Sequence, residues 1–136
     1  MSQEDIVVEA LVGKFAYLEG RVKIQHARRI FLEVEYKNFR EVFAFAVKEL
    51  KFGHFCAITG LDELDRLGFI YHFAQDSGIL LNLKTSVLKE NPVLETVIPY
   101  FPGAEIYERE VVDLLGAKVE GLPAGNRYPL TDEWPA

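Results

Sequence analysis

The apolar residues of this chain switch repeatedly between helical and strand spacing, and that alternation constrains the fold more than any other feature. Ile6, Ala10, Leu11, Phe15 and Leu18 recur at helical intervals after an N-cap signal at Ser2 and Asp5, and Gly20 stops the run. Val22-Lys23-Ile24 and Ile30 to Tyr36 alternate as strands, predicting a hairpin through Gln25 to Arg28. Asn38 with Glu41 has capping-box spacing and opens a second predicted helix through Leu50, with Phe39, Val42, Phe43, Ala46 and Leu50 on one face. Phe55 to Thr59 reads as a strand and Gly60-Leu61-Asp62 as a turn. Leu67 to Phe73 and Ile79 to Thr85 then pair across Asp76-Ser77-Gly78. After the break at Asn91-Pro92, a short helix is expected over Val93 to Ile98. Pro102-Gly103 leads into a last helix that Gly116 ends.

The order α-β-β-α-β-β-β predicts an α+β fold, a two-layer sandwich with a mixed sheet of about five strands. C-terminal helices and an extended arm follow. With 136 residues and 49% hydrophobic content, one domain with a sizeable core is expected. That domain spans 1–119. Residues 120–136 differ in kind: Gly121, Pro123, Gly125, Pro129 and Pro135 oppose regular structure, while Leu122, Tyr128, Leu130 and Trp134 offer apolar anchors. Such an arm has no core of its own and is expected to lie on this domain or on another protein.

Charge narrows the function classes. The net charge of −6 and the lack of a basic run, Arg28-Arg29 being the only adjacent basic pair, argue against a nucleic-acid backbone binder. The longest apolar run, Val42 to Val47, is six residues, far below a membrane span. The acidic N-terminus does not read as a secretory signal. A single cysteine, Cys56, allows neither an intrachain disulfide nor an iron–sulfur cluster held by this chain alone. His54 and Cys56 lack the further ligands or base that a metal or nucleophilic site needs. No glycine pattern matches a phosphate loop.

The densest chemistry lies in Tyr107-Glu108-Arg109-Glu110-Val111-Val112-Asp113-Leu114-Leu115-Gly116. On a helix, Glu105 and Asp113 flank Arg109 at four-residue spacing, each pair contributing about 0.2–0.5 kcal/mol if exposed. Glu110 and Asp113, three apart, face the same way. They are open to three readings: a solvated face, an interface, or the acid and base of a small enzyme.

Tyr107-Glu108-Arg109-Glu110, Asp113 and Gly116, then Gly121-x-Pro123, Arg127 and Trp134, resemble the signature of the complex I 30-kDa-subunit family. That family holds the C subunit of bacterial NADH:quinone oxidoreductases, with relatives in membrane-bound energy-converting nickel–iron hydrogenases. Ile58 to Asp62 and Phe69 to Phe73 resemble that family's central strands, so the likeness covers about residues 54–134. It departs from the respiratory pattern at Ile106, where tryptophan is usual, at Leu122, where histidine is usual, and at Asn126-Arg127, which holds one arginine for a pair. Those departures point towards a hydrogenase-type or other anaerobic relative. The resemblance implies a structural and assembly subunit without catalytic residues or cofactors of its own, peripheral on the cytoplasmic side of the membrane. Its implied partners are a large catalytic subunit related to the nickel–iron hydrogenase large chain and an iron–sulfur small subunit; these would hold the iron–sulfur clusters and any nickel–iron or flavin group. Glu108, Arg109, Glu110 and Asp113 are implied as structural or interface residues, and Arg127 and Trp134 as arm contacts. A free-standing adaptor is the other binding reading.

Overall fold

A computed structural model describes residues 2–122. Helix α1 (Gln3–Lys14) opens with a capping box: the Ser2 hydroxyl accepts from the Asp5 N–H, and the Asp5 carboxylate accepts from the Ser2 N–H. Val7 and Leu11 face inward, whereas Ile6 is exposed. The chain then makes a 3-10 turn (Ala16–Leu18) and enters the hairpin of β1 (Val22–His26) and β2 (Arg29–Glu33). Arg28 carries the tight turn at a positive φ of 64°.

Helix α2 (Tyr36–Lys48) buries Phe39, Val42, Phe43 and Ala46, the expected face. It begins before Asn38: Glu35 occupies the N-cap without a side-chain hydrogen bond, so the predicted Asn38–Glu41 capping box is not formed. The Glu41 carboxylate instead accepts from the Tyr17 hydroxyl.

Three long strands follow, β3 (His54–Glu63), β4 (Arg66–Ala74) and β5 (Leu80–Leu88). The sheet order is β1-β2-β5-β4-β3, with β2 and β5 parallel and the other pairs antiparallel, so the expected five-stranded mixed sheet is present. Ile30, Leu32, Phe69, Tyr71, Phe73, Leu81 and Leu83 point from it into one core with the helices. Phe43 is at its centre, its ring against those of Phe39, Tyr71, Phe73, Tyr100 and Phe101.

Two predicted elements are corrected. Gly60 to Asp62 is strand, and the chain turns later, at Leu64, which takes a positive φ of 58°. The glycine serves close approach: a Cβ on Gly60 would stand 2.3 Å from Leu115 Cδ1 of the final helix, α3 (Glu105–Leu115). Val93 to Ile98 is not a helix. Its first residues form β6 (Val93–Glu95), which pairs in parallel with β7 (Lys118–Glu120) as a two-stranded sheet. A β-branched run flanked by proline competes poorly for helix, and a long-range partner decides it. Residue 120, the first of the expected arm, is thus the last residue of β7.

Replacing Gly60 by valine is expected to destabilise the chain by about 1–3 kcal/mol in urea unfolding, by overpacking against Leu115. Adding Leu115→Ala is expected to return part of that loss; purely additive losses would contradict the contact.

Candidate arm root and charged helix

Pro102–Ala104 forms a 3-10 turn that leads into α3, and Gly116 ends the helix at a φ of 76° with its N–H bonded to Val112 O. The charged segment is therefore helical, but its charges do not share one environment. Glu108 is 1% exposed, Arg109 8%, and Glu110 and Asp113 are half-buried.

Glu108 points into the domain. Its carboxylate accepts from the Thr96 hydroxyl and, at 2.8 Å, from the Val97 N–H. Thr96 is bound on every side. Its Oγ1 accepts from the Ile98 N–H, its own N–H donates to Glu120 O at 2.9 Å, and Arg40 donates to its carbonyl at 3.4 Å. Its methyl group would lie 2.8 Å from a Cβ at Gly121, whose φ of 86° already favours glycine. The adjoining Glu95 N–H donates to the Tyr36 hydroxyl, and the Glu95 carboxylate pairs with Arg40 at 3.0 Å. Glu108 thereby ties α3 to the segment after β6, and that segment is tied to the end of β7. Nothing in the sequence signalled Thr96, Tyr36 or Arg40 as its companions, because Tyr36 and Arg40 come from α2 and Thr96 from the segment after β6.

Burial raises the Glu108 pKa above the ordinary carboxylate range, against the lowering effect of the Thr96 and Val97 hydrogen bonds; Glu105 adds a smaller upward push. The folded domain thus holds this proton more tightly than the unfolded chain.

Arg109 bonds through Nε to Glu105 at 3.0 Å, the expected four-residue pair. The Tyr107 ring packs against Phe55 at 5.8 Å. Ile106, Glu110 and Leu114 recur every four residues along the outer side of α3, where Ile106 is 47% and Leu114 66% exposed. Three open clefts lie on the sheet, between α1 and α2, and at the end of α3 beside Leu114, Leu115 and Gly116; none of these three is lined by Glu110 or Asp113. His54 pairs with Asp76, and His72 bridges Thr59 and Asn82. Among the described residues no group of three histidine, cysteine or acidic side chains stands ready to hold a metal, and no helix is long and apolar enough to cross a membrane. Gly121 lies at the end of the described residues; Pro123, Arg127 and Trp134 lie outside them.

The profile of the family described as the 30 kDa subunit of respiratory-chain NADH dehydrogenase matches residues 32–136. The chain belongs to that family. It is 31% identical over 136 residues to the C subunit of the F420H2 dehydrogenase of Methanosarcina mazei, covering 95% of this chain and 86% of the relative. It is 28% identical to the beta subunit of the membrane-bound hydrogenase of Pyrococcus furiosus, covering 99% and 82%. Among solved structures, a chain of an archaeal respiratory membrane complex, the membrane-bound sulfane sulfur reductase, superposes with a TM-score of 0.83 at 26% identity, covering 97% of this chain and 79% of that one. A trypsin-resistant fragment of Nqo5 shares the fold, with a TM-score of 0.71 over 87% of this chain and 99% of the fragment. The family expectation thus holds, and these relatives are subunits of oxidoreductase complexes, which supports a complex I-like setting.

Glu108→Ala is expected to cost about 2–3 kcal/mol, because it leaves the buried Thr96 hydroxyl and Val97 N–H without their acceptor. Since the folded-state pKa is raised, the Glu108 contribution is complete below the unfolded carboxylate value and declines as pH rises through the folded one. Glu108→Gln is therefore expected to flatten that decline. Urea titrations between pH 4 and 8 would check both, and an unchanged slope in Glu108→Gln would contradict the assignment.

Proposed function

We propose that this chain is a non-catalytic assembly subunit of a complex I-like, membrane-associated oxidoreductase. It docks on the large catalytic subunit through the outer face of α3 and the arm after Leu122. The supporting observation is the division of labour along α3. Glu108 turns inward and fixes the point from which the arm departs, while Ile106 and Leu114 stay exposed beside it. An arm whose root is already ordered loses less conformational entropy on docking than one leaving from a loose end.

In this reading the partners are the large subunit related to the nickel–iron hydrogenase large chain and its iron–sulfur small subunit. They carry the iron–sulfur clusters and any nickel–iron or flavin group, and this chain carries none. It sits peripherally on the cytoplasmic side and reaches the membrane only through the complex. Arg109, Glu110 and Asp113 belong to the docking region, and Arg127 and Trp134 serve as arm contacts. The names of the relatives, the C subunit of a dehydrogenase and the beta subunit of a membrane-bound hydrogenase, support such a place.

Truncation after Leu122 leaves β7 and the Glu108 contacts in place. It is expected to lower co-purification with the large catalytic partner at least tenfold while moving the melting temperature by only a few degrees. Full co-purification of the truncated chain would remove the arm from the interface.

A further inference from the structure

The face of the sheet turned away from the core carries a groove that the docking reading does not use. Strand β2 stops at Glu33, opposite Lys84, whereas β5 runs on to Leu88. The chain leaves the sheet for α2 at that point, so a step opens beside the last residues of β5. Arg21, Lys23, Phe31, Arg66 and Ser86 line it, and so do Glu33, Glu35 and Lys37.

Its charges are unevenly matched. Glu35 pairs with Lys37 at 3.4 Å, and Glu33 stands 4.0 Å from Lys84, whose stronger partner is Glu63 at 2.8 Å. Gly68 leaves the lane over which the Glu63 side chain crosses β4 to reach Lys84; a Cβ there would meet Glu63 Oε1 at 2.3 Å. Glu63 is thereby drawn away from Arg66, its direct cross-strand neighbour. Arg66 bonds Ser86 instead, through Nε to Oγ at 2.8 Å and Nη2 to the carbonyl at 3.2 Å. Among the described residues no carboxylate forms an ion pair with Arg21, Lys23 or Arg66. Arg21, Lys23 and Arg66, without carboxylate partners, thus line one groove together with the half-buried Phe31, on a chain whose net charge is −6.

We infer that this groove receives an acidic segment of a partner protein, whose carboxylates meet Arg21, Lys23 and Arg66. A long polyanion such as nucleic acid or an anionic membrane would feel the negative charge of the whole chain. A short acidic segment seated in the groove feels chiefly the charges within a Debye length, about 8 Å at physiological salt. Arg66 is held by Ser86 in a fixed orientation and half-buried, which favours carboxylate recognition over diffuse attraction. Phe31 supplies apolar contact for the carbon stems of the entering side chains.

The test uses the full chain labelled with nitrogen-15 and titrated with a hexaglutamate peptide. Hexalysine, inorganic phosphate, a ten-nucleotide thymidine strand and vesicles containing phosphatidylglycerol are the comparison ligands. The expected result is saturable binding of hexaglutamate that shifts the amides of Arg21, Lys23, Phe31, Arg66 and Ser86. The double substitution Arg21→Glu/Lys23→Glu, at two exposed positions, should weaken it at least tenfold with an unchanged circular dichroism spectrum; Arg21→Lys/Lys23→Arg should retain it. Absence of binding, shifts centred elsewhere, or an affinity unaffected by charge reversal would overturn the inference. Tighter binding of phosphate, the oligonucleotide or the vesicles would overturn it equally.

Discussion

The buried carboxylate of Glu108 is the contact on which the arrangement of β6, α3 and β7 depends. Taking a carboxylate out of water is costly unless hydrogen bonds compensate, and here a hydroxyl and a backbone N–H do so. The compensation works only if the segment after β6 is held at one distance from α3. That same segment is bonded to β7, so one side chain fixes helix, two-stranded sheet and arm root relative to one another. A hydrophobic contact in its place would hold the layers together without specifying where the chain leaves them.

The fold was legible where periodicity and local chemistry agree. The inward face of α2, the Ser2–Asp5 capping box and the β4–β5 hairpin all follow from residues within one or two turns of each other. The misreadings share a cause. Gly60 looked like a turn because its long-range partner, Leu115, lies 55 positions later in the chain. Val93 to Ile98 looked helical because its strand partner, β7, comes after the last helix. Asn38 matched a cap by spacing, yet the helix had already begun at Tyr36.

The charged helix shows the same limit at the level of the site. Its sequence marks Glu108, Arg109, Glu110 and Asp113 as a cluster, and helical geometry rightly pairs Arg109 with Glu105. The inward turn of Glu108 was not readable, since it depends on Thr96 arriving from another element. The basic groove is a second case. The chain has no basic run, but the turn before β1, β1 itself and β4 bring Arg21, Lys23 and Arg66 to one groove on the open face. A sequence scan for adjacent cations misses a patch built across strands.

Function then follows from what each surface of α3 is free to do. Its inner side is consumed by the domain, and on its outer side Ile106 and Leu114 are exposed; the proposed docking uses that side and the residues after Leu122. If the arm root is the organising element, Glu108 acts on docking only through the arm. The most direct measurement is the affinity of the parent assembly, stripped of this chain, for four purified forms: native, Glu108→Ala, truncated after Leu122, and both changes together. Weaker binding of Glu108→Ala with the arm present, and little further loss once the arm is gone, is the predicted outcome. Equal losses with and without the arm would contradict it.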